Sequence, residues 1–555
     1  MNRTLSILLL AAVYATPTLT VTACASTPPA DQRVHELVIA GKKLLAQGLA
    51  DEARSVFVRA HVDSGGAFST RVWVLRAMME TGSLNDTMDL IDALPQADRE
   101  SAGGDYLYGM ASFLRGKGHL AAGVQDGSIG FAFQDATLFL KRATDADPRT
   151  FDDGFLALAE AAWYAQDLET ARVAAAQAAA LAPGSPQAHY TLGRILFSHY
   201  SAARGDERRA EEADGLWRET VTEFRSALLA LGRPGSPAAE RLAARIHNQL
   251  GLCHVWREEL AAAADAFAEA MGWQPSEVSF GDLHNWLSTP ESSATFLAAL
   301  TEGAEKFVQR HGASSQADAT LLWWLGFGNF AADEHAAAET AFGKAVEKWP
   351  EFLNAWYYIG LARYHQADYD GAIAALRKNW TAEPANLVAS INSNREFNLE
   401  VLDWMVGWCS SAERPVDATF LCEVRVGALP ENWLYWDNLG LFSRDAGAAL
   451  AASEEAAERG SAAAHYERAL AAYETARELA PDKPHLLNDG AVILHYYLKR
   501  DPDRAKAMYE QALAEAQALL ADAGISDEDR QLAETARRDA GNNLERLADG
   551  ISDPY

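Results

Sequence analysis

The sequence predicts an all-α chain built from stacked helical hairpins, and three observations carry that reading. Thr320–Pro350 and Asn354–Pro384 are near-copies of one another. Gly326 and Gly360 stand 34 residues apart, as do Ala338 and Ala372, and Pro350 and Pro384. A fixed period of that length marks an array of helix pairs. Alanine is abundant, β-branched runs are scarce and 49% of residues are hydrophobic, a composition that favours helix. A chain of 555 residues is also too long for one compact core, which points to several domains or an elongated array.

Charge and cysteine content remove other classes. A formal net charge of -29 and a pI near 4.9 argue against nucleic acid, since phosphate binding needs a basic surface. They argue equally against adhesion to an anionic membrane through a basic face. Four cysteines are too few for a disulfide scaffold, and none forms the CxxC spacing of a zinc or redox site.

Taken in order, the chain begins with an address. Residues 1–23 have a polar start with Arg3, an apolar run around Leu5–Val13, and small residues ahead of Cys24. The run is too short for a permanent membrane span and reads as an export signal. Val21-Thr22-Ala23-Cys24 resembles the lipobox of bacterial lipoproteins, with valine where leucine is usual. The resemblance implies cleavage before Cys24, acylation of that residue and, because Ala25 follows in place of aspartate, an outer-membrane lipoprotein facing the periplasm or the cell surface. The alternative is an ordinary cleavage site and a soluble periplasmic protein. Residues 24–33 then form the lipidated cysteine and a polar tether.

Each repeat has one grammar. A first helix carries a small residue at its middle, and a second carries alanine, a larger apolar residue four on, and alanine three further. These gaps put all three on one helical face, and proline five residues later ends the helix. The register runs Ala136, Leu140, Ala143, Pro148; Ala171, Ala175, Ala178, Pro183; Ala263, Phe267, Ala270, Pro275; and Ala338, Phe342, Ala345, Pro350. Partial copies centre on Phe57, Phe224, Leu376, Cys422 and Tyr473. The first-helix partners are Gly41, Leu75, Gly109, Ala159, Gly193, Gly251, Gly326, Gly360, Val406, Gly440 and Gly490. This pattern resembles the tetratricopeptide repeat family, which implies a right-handed α-solenoid, here of about eleven units over most of residues 34–520.

Longer intervals imply inserts at Arg115–Gly130, His199–Trp217 and Ala446–Ala462. The widest gap hides a worn repeat whose second helix is expected over Ser292–His311. The organisation expected is an N-terminal array at 34–275, a degenerate repeat and joint at 276–318 centred on Thr289–Ser293, and a C-terminal array at 319–524. A capping helix and tail occupy 525–555, with Leu532, Ala536, Ala540, Leu544 and Leu547 as its one apolar stripe, the polar-backed end a solenoid requires.

No catalytic set stands out. Gly326–Ala331 matches a dinucleotide fingerprint by letter but sits within a first helix with no strand before it, so no cofactor is expected. Asp145, Asp147, Asp152 and Asp153 lack calcium-loop spacing and read as a solvated turn. His247 and His254 share a helix without a third ligand, so no metal is expected either. Cys409 and Cys422 fall on the two facing helices of one unit, either as a disulfide or as two buried thiols. In the tetratricopeptide family the first helices line the concave surface. The aromatics that register there are Tyr106, Trp163, Tyr190, Phe197, Trp256, Trp323, Phe327, Tyr357 and Tyr364, either as an apolar groove for a ligand or as packing between repeats. The functional expectation is a non-enzymatic scaffold for other envelope proteins or peptides, touching the membrane only through its lipid. The alternative is a receptor that captures a glycan or peptide in an aromatic groove.

Overall fold

The computed structural model describes residues 29–124, 126–288, 293–312 and 319–554. Cys24 and the centre of the expected joint, 289–292, lie outside them. The described residues are helices and turns, and their contacts divide the chain into two units, Met1–Pro234 and Gly235–Tyr555.

The first unit comprises α1 (Ala30–Ala46), α2 (Ala50–Asp63), α3 (Phe68–Thr81), α4 (Leu84–Asp92), the single turn α5 (Gln96–Arg99) and α6 (Ala102–Ala121). It continues with α7 (Ser128–Ala146), α8 (Gly154–Tyr164), α9 (Leu168–Leu181), α10 (Pro186–Ala203) and α11 (Ala210–Leu231). Consecutive helices pair as antiparallel neighbours, α1 with α2, α6 with α7, α8 with α9 and α10 with α11. The inserts at 115–130 and 199–217 are absorbed by lengthening α6, α7 and α10 and by a 3-10 turn at Glu207–Arg209.

The second unit opens with α12 (Pro237–Val255), α13 (Leu260–Trp273), α14 (Phe280–Leu287), α15 (Ser293–His311), α16 (Ala319–Ala331) and α17 (His335–Lys348). The short α14 and long α15 occupy the interval where a worn repeat was expected; α15 starts within one residue of the expected second helix but packs chiefly on α13. There follow α18 (Leu353–His365), α19 (Tyr369–Ala382), α20 (Pro384–Ser393), α21 (Arg395–Ser411), α22 (Pro415–Ala428), α23 (Trp433–Ala451) and α24 (Ala456–Leu479). α20 fills the interval that the sequence left over after Gly360. The unit ends with α25 (Pro484–Val492), which runs into a π turn at Ile493–Tyr497, then α26 (Pro502–Ala521) and α27 (Asp527–Ala548). α27 packs on α25 and α26. Its Ser526 cap accepts from the Asp529 amide at 3.1 Å, and Lys483 pairs with Asp529.

One contact explains why the period exists. The glycine of each first helix faces the large residue of the second so closely that a Cβ has no room. At Gly193 it would lie 2.7 Å from Phe224, at Gly251 2.7 Å from Phe267, at Gly326 2.6 Å from Phe342 and at Gly440 2.7 Å from Tyr473. Those large side chains and their flanking alanines are fully or nearly fully buried. Glycine thus buys close helix approach at some loss of helix propensity, and the ring supplies the buried apolar area. The turns repeat as well. Gln166, Glu258, Asp333, Ala367 and Glu413 all have φ between 56° and 63°. The amide after each returns to a carbonyl five residues back, as in Asp167 N to Ala162 O at 2.9 Å, which satisfies an orphan carbonyl of the first helix.

Candidate functional site

The nine aromatics predicted to line a groove do not share one fate. Tyr106, Tyr190 and Tyr357 are buried. Tyr106 stacks on Phe151 with centroids 4.7 Å apart and donates to Asp153 Oδ2 at 2.6 Å. Tyr190 lies against Phe224, and Tyr357 donates to Asn398 Oδ1 at 2.8 Å. Burial pushes the hydroxyls of Tyr106 and Tyr357 well above their ordinary range. These three are packing.

The other six are half-buried. Trp163 donates to Ser198 Oγ at 2.9 Å and lies under the Arg194 guanidinium, 4.4 Å from the ring centroid. Phe197 lies near Tyr200, and Trp256 caps α12. Trp323 and Phe327 stack on each other at 5.7 Å, and Phe352 and Tyr358 crowd Trp323. Tyr364 belongs to a different surface, with Tyr369, Trp404 and Trp408.

Cys409 and Cys422 are free thiols, both fully buried, on α21 and α22 of one hairpin. Burial pushes each up to about 12. His247 is pushed down to about 4 by burial, and His254 is engaged by Glu259 at 2.7 Å. Among the described residues no three His, Cys, Asp or Glu side chains converge as metal ligands.

A cavity of about 580 Å³ lies in the first unit on residues that the aromatic pattern did not mark. Successive first helices supply Lys42 from α1, Arg76 from α3, Met110, Phe113 and Lys117 from α6, and Glu160 from α8. The turn before α8 adds Asp152 and Asp153, and apolar wall comes from Leu45, Leu156 and Leu181. The two aspartates, expected as a solvated turn, instead receive Lys42, which contacts Asp152, lies 3.7 Å from Asp153, donates to the Thr150 carbonyl at 3.1 Å and stands over the Trp73 ring. Lys117 pairs with Glu160 at 3.2 Å. Arg76 is 8% exposed and gives Nη2 to Glu80 at 2.6 Å, one helical turn on. The sequence held a signal for this site. Lys42, Arg76, Met110 and Glu160 each follow the first-helix register residue (Gly41, Leu75, Gly109 and Ala159), a register that side-chain size alone does not single out.

Fold and cavity together define the class: an all-α array of tetratricopeptide-like hairpins with a ligand-sized recess on its first helices. No family model and no curated protein matches the chain. Solved structures similar to it include YrrB, a TPR protein with an unusual peptide-binding site, at 15% identity over 42% of this chain and 97% of that one, with a TM-score of 0.24. Yeast Tom70 is 11% identical over 94% of this chain and 100% of its own, with a TM-score of 0.22. The Cut9–Hcn1 assembly of the APC/C is 11% identical over 79% and 97%, with a TM-score of 0.29. The fold assignment rests on the chain's own helix pairs, not on these likenesses.

Proposed function

We propose that this chain is a non-catalytic scaffold that holds other proteins or peptides, anchored through acylated Cys24 in the outer membrane of a bacterial envelope and facing the periplasm. The observation that carries the binding role is the cavity of the first unit. Its wall is assembled from consecutive repeats, so its ligand would be read by several helices at once. The anchoring rests on the lipobox-like Val21–Cys24, since several acyl chains hold a protein on a bilayer where one does not. Among the described residues no helix is long and apolar enough to cross a membrane.

The binding role is tested by a photo-crosslinking residue at Leu181, which is 50% exposed on the cavity wall. The control is Val173, 58% exposed on the same helix but not on that wall. Discrete protein adducts from the first position and not the second are expected; equal adducts from both would defeat the reading. Anchoring is tested by fatty-acid labelling that Cys24→Ser abolishes. If Cys24→Ser leaves the labelling unchanged, Cys24 is not the anchor.

A second reading, capture of a glycan, rests on one patch. Trp404 is 46% exposed, and Tyr369 lies 4.5 Å and Tyr364 5.7 Å from it. Open aromatic faces of this kind suit stacking. Tryptophan fluorescence titrated with oligosaccharides, compared with Trp404→Ala, separates the readings.

A further inference from the structure

The second unit carries a recess that no first helix lines. The inserted helix α20 is wedged between the hairpin of α18 and α19 and the hairpin of α21 and α22, and packs on all four helices. Between α19 and the start of α22, the second helices of those hairpins, lies a groove of about 610 Å³. α19 lines it from Asp370 to Ala382 through residues three and four apart, which is one helical face about 18 Å long. α22 contributes Arg414, at its cap, and Asp417.

Charge decides what suits that face. Arg377 pairs with Asp417 at 2.7 Å, and Arg414 spans Asp417, also at 2.7 Å, and Asp370. The two aspartates thus hold two guanidiniums side by side. Lys378 is exposed, its ammonium 5.8 Å from the Trp356 ring centroid, and among the described residues it makes no ion pair. Glu423, close enough for Arg377 to act on it, is itself paired with Arg468 at 2.8 Å. The wall therefore sets three cations against two anions, in a chain whose 77 acidic residues outnumber 48 basic ones. Ala374, Thr381 and Ala382 are small and exposed beside those charges, so another backbone can come close. A small free anion would meet the cations and leave the rest of the face bare. A nucleic acid would extend past the groove onto a surface of strongly negative net charge.

We propose that the groove between α19 and α22 docks an acidic segment of a partner protein, its carboxylates on Arg377, Lys378 and Arg414 and its small apolar residues on Ala374 and Ala382. This goes beyond the scaffold reading, because it adds a surface made of second helices that does not depend on the cavity of the first unit. The test uses the full chain and fluorescence anisotropy with a labelled, acetylated and amidated peptide of glutamate, leucine and alanine. Matched peptides carry glutamine or lysine in place of glutamate. The acidic peptide is expected to bind tightest and to lose at least about tenfold in affinity from low to high salt.

Two exposed positions of the groove give variants that leave the core intact. Lys378→Glu should weaken the acidic peptide at least about tenfold, and Ala374→Trp, which fills the groove, should abolish binding. Lys506→Glu makes the same change in net charge on α26, outside the groove, and should leave the affinity unchanged. Equal or tighter binding of the glutamine or lysine peptide would overturn the proposal. So would an unchanged affinity in Lys378→Glu or in Ala374→Trp, or equal weakening by Lys506→Glu. Discrete crosslinks from Leu181 with no binding of the acidic peptide would leave the scaffold standing and remove only this surface.

Discussion

The two units use one hairpin recipe and dress its inner register differently. In the first unit the residue after each first-helix register residue is Lys42, Arg76, Met110, Glu160 and Arg194 in turn. In the second it is Leu252, Phe327, Leu361, Leu441 and Ala491, with Gly407 the exception. The first unit therefore lines a recess with paired charges, while the second packs the same register, as where Phe327 stacks on Trp323 and meets Tyr358 edge-on. The hairpin lock is common to both, with Phe224 against Gly193 and Phe342 against Gly326. Stability is thus set by the faces between helices, and the inner register is free to specialise.

The largest effects should come from the shared lock. Phe224→Ala and Phe342→Ala each remove a fully buried ring and should each cost about 3–5 kcal/mol. Denaturant melts of the two variants should show losses of similar size. A loss confined to one unit would break the claim that both are built the same way. Gly326→Ala should cost about 1–3 kcal/mol by overpacking against Phe342, and adding Phe342→Leu should recover part of it.

The next effect separates the units. At equivalent register positions, Phe327→Ala should cost about 2 kcal/mol, less than a fully buried ring because Phe327 is half-buried. Arg194→Ala removes its contacts over Trp163 and Tyr190 and should cost about 1 kcal/mol. Equal losses would mean that this register contributes equally to stability in both units.

How much of this could be read from the chain alone follows from what repeats. The lock was legible because Gly326, Phe342, Ala338 and Pro350 recur together, each required by helix contact in every unit. α15 was legible as arithmetic, a gap too wide for one repeat. The cavity was not, because Lys42, Arg76 and Glu160 differ in charge and size and only their common register links them. Asp152 and Asp153 looked like a solvated turn because the cation they receive comes from α1, 110 residues earlier for Asp152. Tyr106, Tyr190 and Tyr357 fitted the inner-helix register, and burial between helices is a tertiary property that spacing cannot distinguish from a groove. The thiols of Cys409 and Cys422 were placed on facing helices from the register, but the choice between bridge and free thiols needed the structure.

A smaller, pH-dependent effect belongs to the second unit. Burial holds the Asp437 carboxyl up to about 7, with Asp489 adding repulsion, and burial holds Asp489 up to about 6. Both folded values lie above the unfolded one near 4, so the folded state binds the protons more tightly. Their contribution is fully present below about pH 4 and is lost as pH rises through about 6 to 7. Asp437→Asn should therefore raise the melting temperature at pH 8 by a few degrees and leave it nearly unchanged at pH 4. A rise that is the same at both values would show that the carboxyl's ionisation is not the cause.

The smallest effect tests how well the second unit is closed. Cys253, Cys409 and Cys422 are fully buried, and burial pushes all three thiols up to about 12. The reactive species is the thiolate, so at neutral pH these groups are both hidden and almost wholly protonated. Iodoacetamide should leave them unmodified in the native chain over hours and label all three once the chain is denatured, with no reductant needed. Labelling of Cys253 alone after denaturation would reveal a bridge between Cys409 and Cys422, and the hairpin of α21 and α22 would then be held by a covalent link that the other hairpins lack. Native labelling at a measurable rate would instead mean that the helix interfaces around these thiols open.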